Sequence, residues 1–272
     1  MGQSTKKIIL LILILIPLAI LFGIYDLDIS RQIVNQNSVW AMFLQDYGMI
    51  PGILVILSGI FIYYSYISIK TNFWSYVQKV IFYLVSSGLI YYSLEILLWN
   101  VVIENQFLFL IISLLVGIII FITIHLIGPV KNKLLIKYSK VVVGMAFLGY
   151  VIGIQVIKFI WGRVRFREFD AAFSQFTPWY LPQGITGFDS FPSGHAAMGW
   201  MLLALLVLFD NGKVWIKNII LILIIIWAVF LAYSRVVVGA HFSSDVLFGS
   251  FFIILTFLIL HRNNKFQVSN DK

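Results

Sequence analysis

The stretch 218–261, NIILILIIIWAVFLAYSRVVVGAHFSSDVLFGSFFIILTFLILH, decides the fold. Two apolar runs, 218–234 and 246–261, flank a short connection that carries Ser234, Arg235, His241 and Asp245. A membrane-crossing helix needs roughly 17–25 apolar residues, and both runs come near that length. Lipid offers no partners to backbone N–H and C=O groups, so each run has to satisfy its own as a helix. The stretch therefore reads as two helices joined by a polar turn at one membrane face.

The pattern recurs along the chain. Further apolar runs at about 8–25, 51–69, 79–98, 106–127, 141–160 and 196–209 bring the expected number of spans to about eight, with 196–209 the short one. Composition agrees: 61% of the 272 residues are hydrophobic and 11% charged, against about 25% charged in soluble domains. The expected fold class is all-α, a polytopic transmembrane helical bundle. With no cysteine in the chain, disulfides and thiolate metal sites are excluded. MGQSTKK and the run behind it read as a retained anchor, because Pro17 interrupts the run and no small-x-small cleavage pattern follows. Lys6 occupies the position where a myristoylation signal needs Ser or Thr.

Basic residues set the orientation. With the N-terminus inside, the inner segments hold Lys6, Lys7, Lys70, Lys79, Lys131, Lys133, Lys137, Lys140, Lys213, Lys217, Arg262, Lys265 and Lys272. The outer side holds Arg31, Lys158, Arg163, Arg165, Arg167 and Arg235, together with Asp26, Asp28, Asp46, Glu104, Glu168, Asp170 and Asp189. The expected location is the cell membrane, multi-pass, with both termini cytoplasmic and the active site at the extracytoplasmic face. In 29–45, Ile29, Ile33, Val34, Trp40, Ala41 and Leu44 recur at helical spacing. That suggests an amphipathic helix, lying in the outer interface or packed over the bundle top. The loop 166–191 is strongly aromatic, as suits a segment seated at lipid headgroups.

Three clusters carry chemistry. His241 and Asp245 stand four apart, on one helix face. A carboxylate on one imidazole nitrogen fixes the tautomer and leaves the other free to attack; alone, the pair also fits an ordinary ion pair at a helix end. Pro192-Ser193-Gly194-His195 precedes the run 196–209. Free N–H groups at a helix start, the Ser193 hydroxyl and an unobstructed Gly194 backbone make an anion site; alone, it also fits a capped helix start. Lys158, Arg163, Arg165 and Arg167 place four cations within ten residues, on a side otherwise depleted in them. Arginine forks match phosphate oxygens in pairs, and Arg235 adds another. Glu95 within the third span is a relay or substrate contact, or a surface residue. His125, near an inner span end, reads as structural, and His261, at the inner face, is expected to take no part in the outer chemistry.

Lys158-x6-Arg165, Pro192-Ser193-Gly194-His195 and Ser234-Arg235-x5-His241-x3-Asp245, in this order, resemble the signature of the type 2 phosphatidic acid phosphatase superfamily. The likeness covers about 141–261, with Phe166 standing where the family usually has Pro. It implies a helical bundle with its site at the outer membrane face. It also implies His241 as a nucleophile forming a phosphohistidine, with Asp245 orienting it and His195 as acid, then base. Lys158, Arg165, Ser193, Gly194 and Arg235 would hold the phosphate oxygens, and Arg163 is a possible accessory. No cofactor and no metal are expected, since fixed cations stand where other phosphatases place metal ions. The expected organisation is one membrane domain: four N-terminal spans in 1–140, a catalytic core in 141–261 and a cytoplasmic tail in 262–272.

The expected function is hydrolysis of a lipid phosphate or pyrophosphate, such as phosphatidic acid, phosphatidylglycerol phosphate or polyprenyl pyrophosphate. A phosphotransferase with the same site is the alternative. The expected partners are the lipid bilayer and a membrane lipid phosphate, not nucleic acid; the sequence names no protein partner. A transporter would carry charged or helix-breaking residues near the midplane of several spans, whereas here polar groups gather at one face. The orientation is testable, because the chain has no cysteine. Single cysteines at Ser174 and Lys137, probed in intact cells with an impermeant thiol reagent, should label at 174 only. Labelling at 137 with protection at 174 inverts the orientation.

Overall fold

The computed structural model describes residues 3–68, 70–98 and 106–270, with side chains within 5–97 and 106–261. Glu104 and Lys272 lie outside the described residues, as do the side chains of Arg262 and Lys265. All regular structure among the described residues is helical. The helices are α1 (Gln3–Ile33), α2 (Val39–Tyr47), α3 (Ile50–Ile67), α4 (Phe73–Leu98), α5 (Gln106–Ile127), α6 (Lys133–Gly144), α7 (Ile157–Trp161), α8 (Gly194–Trp200), α9 (Val214–Val237) and α10 (Ser243–Asn270). A π-helical stretch, Met145–Val156, joins α6 to α7, and a 3-10 stretch, Met201–Phe209, continues α8.

Seven helical segments among the described residues are long and apolar enough to cross a membrane, and Gly194–Phe209 is a shorter apolar one. The protein is a multi-pass membrane protein. The first span is longer than its apolar core suggests, Thr5–Ile33, because the helix continues past Pro17 and through the polar turn around Asp26. The single helix expected over 29–45 is divided. α1 ends at Ile33, and α2 begins at Val39 after a turn through Asn35 and Asn37. One face of α2 is packed: Ala41 is buried in one cluster with Val237, Val238 and Ala240. Trp40 stacks on Phe230 and Tyr233 of α9.

The chain forms two compact units, 53–143 and 1–52 with 144–272. In 53–143, Phe121 of α5 meets Phe61, Tyr64 and Tyr83 edge-on, and Ser58 shares a 2.7 Å hydrogen bond with Tyr138. This unit holds Glu95 and His125. The other unit, which includes α1 and α2, contains every motif residue.

Within that unit α10 is the axis. It packs against α1, α8 and the π-helical stretch. Its close approach to the 190–195 segment rests on Gly249, where a Cβ would lie 2.3 Å from the Ser193 carbonyl oxygen. Asp245, one turn earlier, accepts the Ser193 N–H on its backbone oxygen at 2.9 Å. The loop 166–191 is tied to the rest of its unit by tryptophan hydrogen bonds. Trp161 donates to the Trp179 carbonyl at 2.8 Å, and Trp179 donates to the Ala19 carbonyl at 2.9 Å. Phe166, Phe169 and Phe176 pack on buried Phe242, while Tyr180, Ile185 and Phe188 are exposed.

Gly249→Ala should force α10 away from Ser193. Overpacking of this kind costs about 1–3 kcal/mol, so thermal unfolding of the purified protein should shift down by several degrees. An unchanged melting temperature would show that the contact is loose.

Candidate active site

Local sequence explains how each cluster is presented. α7 ends at Trp161 because Gly162 takes a left-handed conformation, φ +63°, where a Cβ would meet the Gly184 carbonyl oxygen at 2.1 Å. Lys158 thus sits in the last turn of α7, where the helix dipole favours a cation. Arg163 and Arg165 follow on non-helical backbone. Arg165 is extended, φ −78° and ψ 148°, the conformation a following proline would demand. Phe166 therefore replaces proline without altering the backbone before it, and its ring joins the cluster over Phe242.

At the start of α10, Asp245 reaches back to the Phe242 N–H at 2.9 Å, half of a capping box. Its carboxylate also accepts from the Ser190 hydroxyl at 2.6 Å and from Arg163 Nη1 at 2.6 Å. Arg163 Nη2 reaches Asp26 of α1 at 3.0 Å, and Arg163 Nε donates to the Thr177 carbonyl at 2.9 Å. The side chains of Asp26, Arg163 and Asp245 are all 1% exposed or less. The guanidinium lies 4.0 Å from the Phe242 ring centroid. Ser244 ties the same knot: its N–H and hydroxyl both donate to Asp26, and it accepts from Arg163 Nη1.

His241 is buried beside this network. Its Nδ1 donates to the Ser190 carbonyl at 2.7 Å, and an Asp245 carboxylate oxygen lies 3.7 Å from the same nitrogen. That separation exceeds a hydrogen bond. Asp245 therefore acts on the imidazole through space and through Ser190, whose hydroxyl it binds. With Nδ1 committed, Nε2 carries the lone pair. Burial pushes His241 down to about 4, against the opposing Asp245 carboxylate, and Lys158 and Arg235 add to the effect. The imidazole is neutral at physiological pH.

His195 stands at the start of α8, and its Nε2 donates to the Gln45 carbonyl at 3.0 Å. Gln45 Oε1 accepts from Arg167 at 2.8 Å and from Arg235 at 3.4 Å. His195, His241, Lys158 and Arg235 lie close enough to act on one another electrostatically. Ser193 caps α8, its hydroxyl oxygen accepting the Ala196 N–H at 3.3 Å. Gly194 faces the Tyr150 hydroxyl. Arg165 and Lys158 both pair with Asp189, at 2.5 Å and 3.5 Å.

The three clusters thus converge on one site. Arg163 alone is turned away, into the buried network rather than toward a ligand. Sequence reasoning did not single out Asp26, Gln45, Ser190 or Ser244. Asp26 follows the apolar run 8–25 and reads as an outer-side carboxylate; only the continuation of α1 to Ile33 places it within a spanning helix, while its neighbour Asp28 is exposed and pairs with Arg31. His261 lies elsewhere, held by Asp210 at the far end of the Gly194–Phe209 helix. Among the described residues no three His, Asp or Glu side chains gather as a metal site would require.

Comparison with known proteins agrees in the region of the motifs. Residues 137–268 match the family model described as the PAP2 superfamily. The chain is 36% identical over 107 residues to a lipid A 1-phosphatase of Rhizobium etli, covering 37% of this chain and 41% of that protein. It is equally similar to a lipid A 1-phosphatase of Rhizobium johnstonii, covering 37% and 39%. The chain spans about two-fifths of the length of these curated relatives. No solved structure matches.

Two outcomes follow from the geometry. A histidine whose pKa is lowered stays neutral to lower pH, so an NMR titration should find His241 uncharged until about pH 4. Titration near 6.5 would contradict its burial among cations. Arg163→Met leaves two carboxylates buried without their cation, and breaking such a pair costs about 3–5 kcal/mol. Thermal unfolding should register that loss, and Arg163→Met combined with Asp26→Asn should recover part of it.

Proposed function

We propose that this chain, which belongs to the PAP2 superfamily through residues 137–268, is an integral-membrane lipid phosphatase working through a phosphohistidine. The observation that carries the reading is a neutral, buried His241 with its Nδ1 proton engaged, set among Lys158 and Arg235. A neutral imidazole with a directed lone pair is a nucleophile. Fixed cations around it match what phosphoryl transfer requires, positioning and charge neutralisation rather than further covalent chemistry.

In the first step His241 Nε2 bonds to phosphorus and the bond from phosphorus to the lipid oxygen breaks. His195, which keeps its Nε2–H on the Gln45 carbonyl and takes a second proton on Nδ1 as the anionic substrate binds, gives that Nδ1 proton to the departing oxygen. In the second step water attacks the phosphohistidine, His195 takes a proton from the water, and the bond from phosphorus to nitrogen breaks. Inorganic phosphate leaves and His241 is restored. Lys158, Arg165 and Arg235 neutralise the phosphate oxygens, with the Ser193 hydroxyl and the Gly194 backbone beside them. Asp245, fixed by Arg163 and Ser190, stabilises the positive charge that grows on His241.

The substrate is a lipid bearing a terminal phosphate or pyrophosphate, met at the extracytoplasmic face. Phosphatidic acid, phosphatidylglycerol phosphate and polyprenyl pyrophosphate fit that description. The names of the relatives add the 1-phosphate of lipid A. No metal takes part in the reading, because the cations are supplied by side chains.

His241→Ala should abolish phosphate release from such a panel of lipids while the protein still inserts and folds. Retention of more than a few per cent of activity would remove His241 from the nucleophile's role. The unmodified enzyme should keep full activity in EDTA and be inhibited by vanadate. Loss on chelation, restored by magnesium or zinc, would contradict the cation-only site.

A further inference from the structure

Lys158 and Arg165, the two cations assigned to the phosphate, already hold an anion of the chain's own. Asp189 Oδ1 lies 2.5 Å from Arg165 Nη2, and Asp189 Oδ2 lies 3.5 Å from Lys158 Nζ. Arg165 Nη1 also faces Glu168 at 3.5 Å. The Asp189 carboxylate is ionised: burial would raise its pKa, but Lys158 and Arg165 outweigh that and hold it below the usual range. It is also the accessible member of the group, 47% exposed against 14% for Lys158 and 23% for Arg165.

Its place in the chain suits a group that can step aside. Residues 180–188 before it are exposed. Ser190 after it is buried, with its N–H on the Arg163 carbonyl at 2.9 Å and its hydroxyl on Asp245. Rotation of the Asp189 side chain therefore leaves the anchor of His241 undisturbed. Nothing in the mechanism above uses this carboxylate.

We propose that Asp189 is a specificity-determining residue, an internal carboxylate that a substrate must displace from Lys158 and Arg165, and that it selects terminal phosphate monoesters over phosphodiesters. The inference rests on the phosphatase reading and adds to it a residue that sets its selectivity. A phosphodiester carries one negative charge, as a carboxylate does, so exchanging one for the other brings the two cations no extra neutralisation. A terminal phosphate carries about −1.5 to −2 at neutral pH, its second pKa lying near 6, and the exchange then favours the ligand. The selection has a purpose at a bilayer surface, where the bulk phospholipids are diesters that would otherwise occupy a bare cation pair.

The test is binding rather than turnover, on the full-length protein in micelles at pH 7.5. Inorganic phosphate and dimethyl phosphate are titrated by ³¹P NMR against wild type and Asp189→Asn, which removes the charge and keeps the shape. Wild type should bind dimethyl phosphate at least tenfold more weakly than phosphate. Asp189→Asn should narrow that ratio to threefold or less, by tightening dimethyl phosphate. An unchanged ratio overturns the proposal. Weaker binding of both ligands by the variant also overturns it, because the carboxylate would then serve only to position Lys158 and Arg165. Failure of both proteins to bind inorganic phosphate would instead remove the phosphate-site reading itself, and the selectivity proposal with it.

Discussion

A guanidinium with no access to water has to be matched by carboxylates, and this requirement organises the unit that holds the motifs. Arg163 lies between Asp26 and Asp245, all three buried. Removing such ions from water costs several kcal/mol each, and only close, fully hydrogen-bonded pairing offsets it. The pairing joins three parts of the chain that are remote in sequence: α1, the turn after α7 and the start of α10. It sets the position of Asp245, and Asp245 sets Ser190. Ser190 in turn accepts the proton of His241 on its carbonyl. Each link depends on the one before it, so the orientation of His241 follows from an ion pair buried behind it.

The two sides of the site differ in character. Behind His241 the groups are buried and mutually saturated, as suits parts that must not move. In front, Lys158, Arg165 and Asp189 are partly exposed and paired through long side chains. Exposed pairs contribute little to stability, so their partners can change when an anion arrives. A rigid imidazole and exchangeable cations are what a transfer reaction dominated by positioning and charge neutralisation requires.

The helical class was legible from the sequence, because span length and the absence of charge are direct consequences of lipid as solvent. So was the grouping of Lys158, Arg165, His195, Arg235, His241 and Asp245 at one site, since each stands at an end of an apolar run. The division of 29–45 into two helices was not, because the helical spacing of Ile29, Ile33, Trp40 and Leu44 persists across the turn at Asn35 and Asn37. Arg163 read as one more phosphate cation. Only the fold reveals that Gly162 turns it inward and that Asp26 lies there to meet it. Asp26 and Gln45 come from helices outside the motif-bearing segment, and a lone glutamine whose backbone carbonyl holds His195 has no signature in sequence. Phe166 shows the converse: a departure from the family's pattern that leaves Arg165 extended and adds a ring to the packing over Phe242.

The central claim is that the transferred phosphoryl group resides on His241. The direct measurement is to mix the protein with a lipid phosphate, quench within the first turnover under conditions that preserve phosphoramidates, and map the phosphate by mass spectrometry. The account predicts an added phosphoryl group on the peptide carrying His241 and on no other. A phosphoryl group found on His195 or on a serine, or steady phosphate release with no phosphorylated peptide at any time point, would contradict it.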